Sequence, residues 1–148
     1  MSNEKESPHT NLNGSSSHQK GNASKTNIVR AASYTRTARG NQNDSYIEQV
    51  KRCSEYITQK GWILSNLFFD EDVSGGAIER PELSMMLMKA AQYSFDIVVV
   101  SSIDRISRST RELLEVSKIL RDFHVALQSV NEPEMSAFGL DEFKPKFS

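Results

Sequence analysis

Apolar residues in this chain follow two rhythms. Short runs at 28–34, 62–69, 96–101 and 125–130 have the β-branched and aromatic content of strands. The third, "DIVVVS", is apolar at consecutive positions, which predicts a strand covered on both faces at the centre of a sheet. Between the strands lie three segments of helical period. The first, 45–60, opens on a capping box of Ser45 and Glu48, carries Ile47, Val50 and Ile57 at helical spacing, and stops at Gly61. The second has Pro81 in its first turn and is expected to bury Leu83, Met86, Leu87 and Ala90, its methionines serving as core filler. The third begins after Ser109, repeats the capping box with Glu112, and turns Leu113, Val116, Ser117 and Leu120 inward. The order β-α-β-α-β-α-β predicts an α/β domain, with a central, mostly parallel sheet of four or five strands flanked by helices in three layers. Such a sheet carries its functional loops at the carboxyl ends of the strands.

Composition narrows this picture. Residues 1–27 are rich in Ser, Asn, Gly and Lys with almost no apolar side chains, so they are expected to form a disordered tail. The folded domain is expected over 28–135, with an irregular tail at 136–148. A length of 148 residues with 37% hydrophobic content suits one core. The net charge of -1 exerts no global pull on a polyanion, so a nucleic-acid partner would have to be held by a local cluster. Cys53 is the single cysteine, which excludes an internal disulfide and a cysteine zinc site. No metal or other cofactor is expected, with His9 and His18 in the tail and His124 read as structural. The absence of a long apolar run excludes a membrane-spanning helix, and the lack of an apolar leader makes a cytoplasmic location the expectation.

The unusual residues fall at the predicted strand ends. After the first strand comes "YTRTARGNQNDS" with Arg36 and Arg39. The second is followed by "DEDVSGGAIERP" with Ser74 and Arg80, and the third by "SSIDRISRST" with Asp104, Arg105 and Arg108. Guanidinium groups bind phosphate oxygens in bidentate fashion, and several on one phosphate stabilise the charge that develops when it is attacked. Arg36, Arg80, Arg105 and Arg108 together therefore point to a phosphodiester. Each feature also has a structural reading: a surface ion pair for any one arginine, a loop or cap role for Asp104, a flexible turn for "SGG".

The stretches "YTRTARGNQNDSYIEQVKRC", "FFDEDVSGGAIERPELSMML" and "FDIVVVSSIDRISRS" resemble, in order and spacing, the amino-terminal catalytic domain of serine site-specific recombinases. This is the resolvase and invertase family, and the large-recombinase branch is most similar. The resemblance spans residues 29 to 135. It implies a resolvase-like fold and DNA strand cleavage and exchange through a phosphoserine. It also implies that Arg36, Arg80, Arg105 and Arg108 surround the scissile phosphate, with Ser74, Asp104 and Gln49 in support. DNA is the implied partner, with dimers or tetramers in full-length members.

Two departures qualify that implication. Where the family reads Tyr-x-Arg-x-Ser, this chain reads Tyr34-Thr35-Arg36-Thr37-Ala38, so the position of the attacking hydroxyl holds alanine. Loss of a covalent nucleophile costs about a million-fold in rate where it has been measured in a hydrolase. Thr37, one strand position away, is expected to face the other way. The family's long dimer helix and DNA-binding region are also not expected within "NEPEMSAFGLDEFKPKFS". Two function classes follow: a recombinase catalytic domain with a formed phosphate site but no cleavage activity, and a non-catalytic dimerisation or interaction module derived from one. A flavodoxin-like or receiver-like domain shares the α/β pattern but would need an acidic cluster after the first strand.

Overall fold

The computed structural model describes residues 28–38, 45–72 and 80–133. The expectations for the two tails and for Ser74 lie outside them. The elements are β1 (Arg30–Ala38), α1 (Tyr46–Gln59), β2 (Ile63–Asp72), α2 (Pro81–Ala91), β3 (Ile97–Val100), a 3-10 turn (Ile103–Arg105), α3 (Thr110–Asp122) and β4 (Ala126–Ser129). Among the described residues the sheet has four strands in the order β2-β1-β3-β4, and every pairing is parallel. The chain thus builds outward from β1 first to one side and then to the other. The direction of winding reverses between β1 and β3, and sheets of this kind bind ligands outside the carboxyl ends of the strands at such a point.

Strand alternation divides the core in two. Ile97, Val99, Ala31 and Ala126 face α1 through Cys53 and Ile57. Val98, Val100, Ala32, Tyr34 and Leu127 face α2 and α3 through Met86, Ala90, Leu113, Val116 and Leu120. This is the three-layer arrangement, and it explains the unbroken apolar run of β3, which is buried at all four positions. β3 shares the sheet centre with β1. No helix among the described residues is long and apolar enough to cross a membrane.

Three local expectations need correction. First, β1 and β2 run to Ala38 and Asp72, so Arg36 lies within a strand rather than in the loop after it. The polar sequence hides this extension because the buried positions there are hydroxyl-bearing: Thr35 and Thr37 are 1% and 7% exposed. Second, α1 turns Gln49, Cys53 and Ile57 inward, while Ile47 is 73% exposed. The inward place of an apolar residue is taken by a glutamine with a partner on β1. Third, only Met86 of the α2 methionines is core; Met85 and Met88 are exposed, and Leu87 is partly buried.

The helix ends combine readable and unreadable signals. Ser45 and Ser109 accept hydrogen bonds from the backbone N–H groups of Glu48 and Glu112, as the capping boxes predict. Gly61 ends α1 with φ of +77°, a conformation that costs glycine little. The chain after α2 and after α3 adopts the same left-handed region at Tyr93 and His124, with φ of 59° and 61°. Neither residue advertises a stop in the sequence.

Candidate anion site at the strand ends

The site begins with a gap in the sheet. β1 pairs with β3 only over Ala31 to Ser33, although it pairs with β2 out to Ala38. Beyond Ser33 the other edge of β1 has lost its neighbouring strand. At Arg36 the carboxamide of Gln49 stands in for it. The Arg36 N–H donates to Gln49 Oε1 at 3.2 Å, and Gln49 Nε2 donates to the Arg36 carbonyl at 3.0 Å. Gln49 is fully buried, so these bonds also satisfy its own polar groups.

The side chain of Arg36 crosses to the loop after β3. Its Nε donates to the Arg105 carbonyl at 3.0 Å and its Nη2 to the Asp104 carbonyl at 2.8 Å. Arg105 reciprocates, its Nη1 donating to the Arg36 carbonyl at 2.8 Å. The two arginines therefore hold each other through backbone oxygens. These contacts are made to neutral oxygens. The Asp104 carboxylate is 44% exposed, accepts from Ser102 Oγ at 2.5 Å, and lies 3.7 Å from Arg105 Nε. Its contribution to holding Arg36 is made by its carbonyl, not its carboxylate.

Arg80 enters from the start of α2. It occupies the cap position, yet its side chain makes no cap hydrogen bond. Instead the guanidinium, 11% exposed, donates through Nη1 to Glu112 Oε1 at 2.9 Å and through Nη2 to the Ile106 carbonyl. The cap comes from β2. Asp70, 3% exposed, accepts from the N–H groups of Glu82 and Leu83 at 3.0 and 2.9 Å and from the Tyr34 hydroxyl at 2.8 Å. A carboxylate at a helix start is favoured by the exposed N–H groups and the helix dipole. Here it frees the cap residue to reach the site. Burial, with the hydrogen bond to Asp70 acting in the same direction, raises the Tyr34 phenol far above its ordinary range.

Electrostatics gives the cluster its character. Burial and then the charges of Arg36 and Arg108 make the Arg105 guanidinium easier to deprotonate than an ordinary arginine. Arg108, in the loop before α3, is exposed to solvent. Glu112 is the counterweight: a hydrogen bond with Ser107 and the charges of Arg80 and Arg36 hold its carboxyl below the usual range. Three like charges crowded together are relieved by an anion, and a phosphate offers oxygens to several guanidinium groups at once.

Among the described residues, several of the predicted side chains are linked. Arg36, Gln49, Asp104 and Arg105 form one bonded unit, Arg80 joins the loop at Ile106 and Glu112, and Arg108 flanks Arg105 electrostatically. Ala38 is the last residue of β1, two positions beyond Arg36 and opposite Asp72 in the ladder. Thr37 is buried and, by alternation, belongs to the face opposite Arg36. Asp70 and Tyr34 are supporting residues that pattern reading passes over. The one signal for Asp70 is indirect: a proline-started helix whose cap position holds arginine must draw its cap from elsewhere.

Comparison with known proteins bears on the family and the fold. The family described as "Resolvase, N terminal domain" matches residues 31–143. The Transposon Tn917 resolvase of Enterococcus faecalis is 31% identical over 67% of this chain and 48% of its own length. The Transposon Tn1546 resolvase of Enterococcus faecium is 30% identical over 70% of this chain and 49% of its own. The chain thus spans about half the length of the curated relatives it matches. Among solved structures, the N-terminal catalytic domain of TP901-1 integrase is 31% identical, with a TM-score of 0.64 over 77% of this chain and 88% of that one. A resolvase family site-specific recombinase from Streptococcus pneumoniae shares the fold, at 21% identity and a TM-score of 0.63 over 71% of this chain and 74% of that one.

Proposed function

This chain belongs to the resolvase N-terminal domain family, and on that premise we propose that it is a recombinase catalytic fold that holds a DNA phosphate without cleaving the strand. The observation that carries the reading is the mutual grip of Arg36 and Arg105 through backbone carbonyls at 2.8 to 3.0 Å, beside exposed Arg108. Such a cluster stands where open α/β sheets bind ligands. The relatives are resolvases and an integrase by name, and strand exchange is the chemistry their family membership suggests for the parent activity.

In this chain the arginines bind and orient. A phosphate would take donors from Arg105 and Arg108, and its negative charge would offset the repulsion among the three guanidinium groups. Arg36 is supplied in a fixed pose because the carboxamide of Gln49 brackets its peptide. The step that fails is attack. Ala38 carries no oxygen, so no phosphoserine can form and no strand is released.

A labelled duplex titrated by fluorescence anisotropy at several salt concentrations tests this reading. Weak binding without sequence preference is expected, with log affinity falling about 2.7-fold as steeply as log salt rises if roughly three phosphates are neutralised. Arg105→Ala and Arg108→Ala should each flatten the slope by about one. A slope indifferent to both substitutions would favour the second reading, a non-catalytic interaction module whose arginines are ordinary surface charge.

A further inference from the structure

The loop that carries Asp104 and Arg105 is too short to hold its own shape. A single 3-10 turn gains little from its own hydrogen bonds: here Arg105 N–H donates to the Ser102 carbonyl and Ile106 N–H to the Ile103 carbonyl, both at 3.0 Å. Its cap residue, Ser102, gives no side-chain cap, because its hydroxyl donates to the Asp104 carboxylate at 2.5 Å. The first N–H of the turn, that of Ile103, is met instead from beyond the end of β4. Glu132, three residues past the end of β4, accepts it on Oε1 at 2.9 Å.

Glu132 is well placed to act as a fixed point. Its Oε1 also accepts from Ser129 Oγ at 2.5 Å, and its own N–H donates to that hydroxyl at 3.3 Å. The backbone leading to it stays in register with the end of β3: Val130 N–H donates to the Val100 carbonyl and Asn131 N–H to the Ser101 carbonyl, both at 2.9 Å. The carboxylate is thereby referenced to the sheet and reaches sideways to the neighbouring loop.

We infer that Glu132 is a positioning residue for the anion site, acting through the Ile103 amide to set the turn whose carbonyls hold Arg36. The path is continuous. Glu132 fixes Ile103, and Ile103 starts the turn. The turn presents the Asp104 and Arg105 carbonyls to Arg36 at 2.8 and 3.0 Å, and Arg105 returns a bond to the Arg36 carbonyl. What matters is an acceptor atom at the position of Oε1, not the negative charge, which by itself would oppose a phosphate. The inference rests on the phosphate-holding reading proposed above for its binding readout, but not for its structural one.

Four forms of the full chain separate the possibilities: the chain as it stands, Glu132→Gln, Glu132→Asp and Glu132→Ala. Glutamine keeps an acceptor at the same reach, aspartate keeps the charge but withdraws the acceptor by one methylene, and alanine removes both. Affinity for a labelled duplex at fixed low salt should fall roughly fivefold in the alanine and aspartate forms and stay within about twofold in the glutamine form. Amide hydrogen exchange should quicken at Ile103 and Arg105 in those two weakened forms, while Val98 in the sheet centre stays protected. Tighter binding in both the alanine and glutamine forms would overturn the inference, since that is what a mere repulsive charge predicts. Unchanged exchange at Ile103 in a folded alanine form would overturn it equally. If alanine unfolds the chain, the aspartate and glutamine forms decide by the same criteria. If Arg105→Ala leaves DNA affinity unchanged, the phosphate-holding reading fails, and exchange at Ile103 still decides the role of Glu132.

Discussion

Replacing Asp70 with alanine should destabilise the domain far more than its position in the acidic "DED" stretch suggests. The carboxylate is buried and accepts three hydrogen bonds, two from the first turn of α2 and one from the Tyr34 hydroxyl. Loss of a helix cap costs about 1 kcal/mol, and a buried phenol left without an acceptor adds about 1 to 3 kcal/mol. The sum is about 2 to 4 kcal/mol, a large part of the roughly 5 to 15 kcal/mol that holds a domain together. In urea, with a slope of about 2 kcal/mol per molar, the midpoint should drop by about 1 to 2 M at unchanged slope. Adding Tyr34→Phe should recover part of the loss, because it removes the orphaned hydroxyl. The two substitutions should therefore be coupled by about 1 kcal/mol in a double-mutant cycle. An Asp70→Ala midpoint within 0.2 M of the parent, or strict additivity with Tyr34→Phe, would refute the capping argument.

Three further outcomes are expected. Incubated with supercoiled DNA, the chain should yield no denaturant-resistant protein-DNA adduct, and such an adduct on a gel would mean that a group other than residue 38 attacks. Glu112→Gln should tighten duplex binding by about two- to fivefold, since it removes a carboxylate that competes for Arg80 at 2.9 Å; weaker binding would make Glu112 a support for Arg80 instead. The Tyr34 phenol is raised by burial, so its contribution to stability is complete below the unfolded tyrosine value of about 10 and is lost as pH climbs above it. Alkaline denaturation should begin at lower pH in the parent than in Tyr34→Phe, as followed by far-ultraviolet circular dichroism, and coincident curves would remove that assignment.

Local pattern alone specifies the succession of strands and helices, the burial of β3 on both faces, the serine caps of α1 and α3, and the setting of Arg105 and Arg108 in the loop after β3. These are properties of a single element. Period, cap and turn chemistry act over a few residues, so composition along a short window records them. The motif resemblance added the expectation of a shared phosphate site, and the structure joins Arg36 to Arg105 through their backbone carbonyls.

Tertiary structure decided which polar residues are interior and what they hold. Gln49 displaces an apolar residue from the inward face of α1 because β1 outruns β3 and leaves peptide groups that must be satisfied. Asp70 caps a helix from another element, Glu132 steadies a turn from the end of β4, and Tyr93 and His124 end helices without glycine. Arg36 meets the Arg105 carbonyl across 69 positions of chain. A buried donor demands an acceptor wherever the fold can bring one, and that partner is chosen by proximity in space, which no local pattern of the chain records.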